Sequence, residues 1–113
     1  LTEQEAHAIE VFRRVLTLAP DDWSAHSNLA NLLAEHDAAA ALDHARAAHR
    51  LRPDDLRVNM NLAESWAQNR RWEEALAQFR MIERRMRESA MTGDPLYAVV
   101  QRRIEELRRE RLP

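Results

Sequence analysis

The chain has no cysteine, no lysine and a single glycine, Gly93, in 113 residues. Without cysteine there is no disulfide, thiol nucleophile or thiolate metal site. One glycine cannot build a phosphate-cradling loop or a dinucleotide fingerprint, since both need several where backbone meets ligand. No apolar run approaches the ~20 residues of a membrane-crossing helix, so no membrane insertion is expected. What remains is 45% hydrophobic and 32% charged, the balance of a soluble helical protein of one domain or part of one. The net charge of −2 hides an asymmetry. Residues 1–69 carry 6 arginines against 11 acids, about −5, and residues 70–113 carry 11 against 8, about +3. That every basic residue is arginine fits the codon bias of a GC-rich genome.

The most informative stretch opens and closes alike. Pro20-Asp21-Asp22 returns as Pro53-Asp54-Asp55, and Asn28-Leu29-Ala30 returns as Asn61-Leu62-Ala63, each 33 positions on. Further along the offset becomes 34, from Ala41 to Ala75, Leu42 to Leu76 and Ala48 to Ile82. The extra residue, gained between Asn31 and Ala41, marks a turn, because turns absorb length changes and packed helices do not. A period of about 34 residues is the signature of a stacked repeat.

These residues resemble the tetratricopeptide repeat (TPR) family. Leu29-Ala30 and Leu62-Ala63 stand at its tight first-helix contact, and Ala41 and Ala75 at the small-residue crossing point. Phe79 and Ile82 follow Ala75 at helical spacing, as Ala45 and Ala48 follow Ala41, while Trp66 and Trp72 take positions where the family favours aromatics. Backwards from Pro20, Ala8, Phe12 and Val15 match Ala41, Ala45 and Ala48 at an offset of 33, so the likeness covers roughly residues 3–87. A turn glycine of the family is missing, replaced by Asn69-Arg70 in one copy. The resemblance implies an all-α fold of about six helices, with antiparallel hairpins stacked as a right-handed α-solenoid. Its parts would be the second helix of a truncated repeat (1–20), two repeats (21–55 and 56–90) and a capping helix (94–113), as a fragment of a larger protein.

Local chemistry places the helices. Thr2-Glu3-Gln4-Glu5 has capping-box spacing and starts a helix that ends before Pro20. Read as a second helix without its first, it would leave Ile9, Phe12 and Leu16 uncovered, with more repeats or another domain expected before it. Asp21 and Asp22 start a helix over about 22–35, Asp37 one over 38–51, and Asp54 and Asp55 one over 56–68, each carboxylate suited to free amides and the helix dipole. Asn69 then suits a left-handed stop. The fifth helix runs from near Arg71 to about Ala90, and Asp94-Pro95 restarts the last. Trp66, Trp72, Phe79, Leu62 and Ile82 are expected to be the best-buried set.

In TPR proteins the first helices line a concave surface that holds extended peptides. Here the resemblance assigns to it Ser24, Ser27, Asn28, Asn31 and Glu35 from one helix, and Arg57, Met60, Asn61, Glu64 and Gln68 from the next. Asn28 and Asn61, one repeat apart, look like the asparagine ladder of O-linked N-acetylglucosamine transferases. An amide both donates and accepts, and so suits a peptide backbone. Asn31 with Asn61 matches part of the carboxylate clamp of chaperone-binding TPR domains, but Ser27 stands where that clamp needs a lysine.

Other chemistries find little support. None of the five histidines (His7, His26, His36, His44, His49) forms an i, i+4 pair and no HExxH occurs, so they read as solvated surface residues with no metal site. Ser24, Ser27, Ser65 and Ser89 carry no catalytic motif, and no cofactor is implied. Arginines 84, 85, 87, 102, 103, 108, 109 and 111 are interleaved with glutamates, as in Glu83–Arg87, Arg84–Glu88 and Glu105–Arg109. A surface that neutralises itself does not track phosphates, so nucleic acid is not an expected partner. The expectation is a non-enzymatic module binding a protein or peptide in its concave groove. The alternatives are a substrate-positioning or regulatory segment of a larger enzyme such as a glycosyltransferase, and a homodimer through the exposed N-terminal helix.

Overall fold

The computed structural model describes residues 1–111, the last by its backbone alone. It has six helices: α1 (Glu3–Leu18), α2 (Trp23–Leu33), α3 (Ala38–Leu51), α4 (Leu56–Gln68), α5 (Trp72–Glu88) and α6 (Pro95–Arg111). No strand occurs among the described residues. The final two residues of the expected last helix, and the Arg111 side chain, lie outside the described residues.

The first four helix starts are each set by a side chain that satisfies amides lacking a helical partner, whereas Arg71 makes no such bond at the start of α5. Thr2 Oγ1 accepts from the Glu5 amide at 3.0 Å while Glu5 Oε1 accepts from the Thr2 amide at 3.2 Å, closing the capping box. The bonds from Thr2 hold the exposed Glu5 carboxyl below its usual range. Asp22, Asp37 and Asp55 each accept from the amide three residues on, all at 3.1 Å. The second aspartate of each Pro-Asp-Asp is therefore the cap. Asp54 instead lies 3.6 Å from Arg85.

Successive helices pack on one another, and α2 also touches α4. Small residues let the backbones approach: Ala41, Ala45, Ala63 and Ala75 are all 0% exposed. The largest cluster joins Phe79, Ile82 and Met86 of α5 to Val100 and Leu107 of α6. Full burial of a side chain such as Phe79 stabilises by roughly 1.5–3 kcal/mol. The polar back of α6 stays in water, with Arg102, Glu105, Arg108, Arg109 and Glu110 exposed.

Several expectations are corrected by this packing. Trp66 and Trp72 are only half-buried. The Trp66 indole reaches the edge of its hairpin, where the guanidinium groups of Arg46 and Arg71 lie 5.6 and 5.3 Å from the ring centroid. The deepest positions include Leu29, Val58, Met86, Val100 and Leu107 alongside Phe79 and Ile82. The face of α1 expected to be open is not: Ile9, Phe12 and Leu16 pack against Leu29, Leu33 and Ala41 of the next hairpin. Ile9 is buried and Phe12 and Leu16 are half-buried, so they do not form the open apolar face that the homodimer expectation used, and the exposed large apolar residues are Leu1, Val11 and Leu18. Asn69 is not left-handed, with φ −89°. Arg70 takes that conformation at φ 60°, and Ala90 does so after α5 at φ 56°, where a backbone bond from Met91 to Met86 closes the helix at 2.7 Å. Of the expected surface ion pairs Glu83–Arg87 forms at 3.7 Å. On α6 the described pairs are Arg102–Glu106, Arg103–Glu106 and Arg108–Glu105 in place of the expected Glu105–Arg109.

Candidate binding groove

Helices α2 and α4 stand side by side, and residues at spacings of three and four point from each toward a common groove of about 560 Å³. Ser24, Ser27, Asn28 and Asn31 line it from α2, Arg57, Met60 and Asn61 from α4. All seven belong to the set expected from the sequence. Trp23, Asp55 and Leu96 complete the lining.

The remaining three expected residues are elsewhere. Glu35 lies past the end of α2 and is exposed. Glu64 is held by Arg103 of α6 in a two-pronged pair, Nε to Oε1 at 2.8 Å and Nη2 to Oε2 at 3.0 Å. Arg103 also donates to Glu106 at 2.7 Å. The Glu64 hydrogen bond is the main reason the guanidinium holds its proton more tightly than usual. Gln68 faces a separate depression beside Trp72 and Leu107.

Inside the groove the side chains are pre-set by short bonds. Asn61 Nδ2 donates to Ser27 Oγ at 2.9 Å, bridging the two helices one repeat apart. Asn28 Nδ2 donates to the Ser24 carbonyl at 2.8 Å. The asparagines are thus anchored separately and do not bond each other. An amide has two N–H donors and an acceptor oxygen, so one internal bond does not exhaust it. Asp55 spends a carboxylate oxygen on the Val58 amide. Trp23 is fixed by Arg52, whose guanidinium lies 4.9 Å from its ring centroid.

The three residues missed by sequence reasoning differ in how visible they were. Trp23 sits one position before Ser24 and Asp55 two before Arg57, so extending the repeat register toward the helix starts would have reached both. Leu96 carried no such signal, because α6 lacks the Asn-Leu-Ala motif. Among the described residues no group of three or more His, Asp or Glu side chains gathers as a metal site would require.

A family model described as tetratricopeptide repeat matches residues 32–93. No curated protein matches the chain.

Proposed function

Because the chain belongs to the tetratricopeptide repeat family, whose repeats mediate protein–protein interaction, we propose that it is a non-enzymatic module holding an extended peptide segment of a protein partner between α2 and α4. The observation that carries this reading is the shared lining of one groove by Ser24, Asn28 and Asn31 with Arg57, Met60 and Asn61. Neutral amides and hydroxyls dominate, which suits a ligand recognised through its backbone and only secondarily through charge. Met60 and Trp23 offer apolar surface for side chains along it, and methionine adapts its shape to different neighbours.

Peptides selected on the native chain from a display library test this directly. The Asn28→Ala/Asn61→Ala double variant should bind them roughly tenfold more weakly, as loss of about 1.4 kcal/mol implies. Amide shifts on titration should cluster on α2 and α4. Equal affinity for both proteins, with shifts elsewhere, would remove the groove from consideration.

A further inference from the structure

A second depression, of about 320 Å³, opens between α3 and α5 and shares no lining residue with the groove. Arg46, His49 and Arg50 of α3 form its rim, Leu62 and Trp66 of α4 its floor, and Gln78 of α5 its far wall. The lining holds two arginines, one histidine and no carboxylate, although residues 1–69 carry about five more acids than arginines. Arg46 and Arg50 are four apart on α3 and so project from one face, their Cβ atoms about 5–6 Å apart. The Arg46 guanidinium lies over the Trp66 ring. Stacking of this kind fixes the plane of the group and leaves its N–H edge for an acceptor. Gln78 Nε2 donates to Asn59 Oδ1 at 2.8 Å, which fixes the amide in the far wall.

We propose that this depression docks an acidic segment of a protein partner. One carboxylate sits between Arg46 and Arg50, and an adjoining apolar side chain rests on Leu62 and Trp66. Charge complementarity selects the acid, and the buried Leu62 beside a half-buried indole selects the apolar neighbour. The patch is confined to one side-chain cluster, whereas a nucleic-acid surface needs cations spread along a strand to neutralise successive phosphates. A site here would let the chain hold two segments at once, one on each side of α4.

The test uses a fluorescein-labelled peptide of alternating glutamate and leucine, titrated into the full chain and followed by anisotropy. Saturable binding that weakens as salt rises is expected. The Arg46→Gln/Arg50→Gln double variant, at exposed positions that leave the core intact, should lose at least roughly tenfold in affinity. The Asn28→Ala/Asn61→Ala variant should bind the peptide unchanged. If instead the groove variant loses binding and the arginine variant does not, the acidic segment belongs to the groove and this proposal falls while the groove reading stands. Equal binding of a lysine–leucine peptide, or displacement by an equal concentration of oligothymidine, also overturns it.

Discussion

His26 and His44 meet end to end across the α2–α3 hairpin, their Nδ1 atoms 3.0 Å apart and their ring centroids 5.2 Å apart. His26 Nε2 lies 2.9 Å from the Pro20 carbonyl oxygen. A carbonyl only accepts, so the network places the His26 proton on Nε2, and His44 Nδ1 donates to the bare His26 Nδ1. The next repeat holds the same relay in groups that do not titrate. There Asn59 donates to the Pro53 carbonyl at 3.0 Å, and Gln78 donates to Asn59 Oδ1 at 2.8 Å. Asn59 stands 33 residues after His26, and Gln78 stands 34 after His44.

The first repeat should therefore loosen in acid and the second should not. Burial is the main reason His44 gives up its proton more readily than the ordinary 6.5, followed by His26 and by Arg13 of α1. Asp43, on its own helix, opposes them. Because folding lowers this value, the unfolded chain takes up the proton first. The relay's contribution is complete above the ordinary value and is withdrawn as pH falls from there toward the lowered one. A second proton on the pair would set two N–H groups against each other. Urea midpoints measured from about pH 8 to about pH 5 should fall more for the native chain than for a His26→Asn/His44→Gln variant carrying the second repeat's relay. Parallel curves would refute the relay as the source.

Arg70 and Asn69 should respond oppositely to glycine. Arg70 occupies the left-handed region, where a side chain costs on the order of 1 kcal/mol, so Arg70→Gly should stabilise by roughly 0.5–1 kcal/mol. Asn69 donates to the Ala38 and Ser65 carbonyls at 2.8 and 2.7 Å. Asn69→Gly should therefore cost about 1 kcal/mol, since it strands acceptors at a turn. Denaturant midpoints of the two variants must move in opposite directions for this account to survive.

At the crossing points size matters more than polarity. Ala75 is fully buried among Ala63, Phe79 and Ile82, so Ala75→Leu should destabilise by about 1–3 kcal/mol by forcing α4 and α5 apart, and Ala41→Leu should act similarly on α2 and α3. Ala39 is on α3 but exposed, and Ala39→Leu should stay within ~0.5 kcal/mol of native. Thermal melts of the three variants make the comparison.

Arg103 ties α6 to α4 through Glu64 and lies 5.7 Å from the Phe79 ring centroid. Both side chains of the pair keep part of their surface in water, 26% and 39%, so screening limits the contribution to roughly 1 kcal/mol. In Arg103→Met, hydrogen exchange should quicken in α6 and leave α2 and α3 unchanged, because stacked repeats couple mainly to neighbours. Uniform acceleration along the chain would show instead that α6 supports the whole stack.

Sequence alone determined what depends on spacing and on neighbours within a few residues. The period near 34 set six helices in stacked hairpins, the two Pro-Asp-Asp copies and Asp37 marked the starts of three of them, and the register of Asn28 and Asn61 brought seven of the groove residues into view. The tertiary structure alone decided which of two equivalent groups meets which distant partner. It drew Glu64 to Arg103, 39 residues away, paired His26 with His44, and left Trp66 half in water under two arginines. Those outcomes follow from side-chain reach across a packed interface, and the repeat pattern, which records only which face a residue occupies, carries no information about that reach.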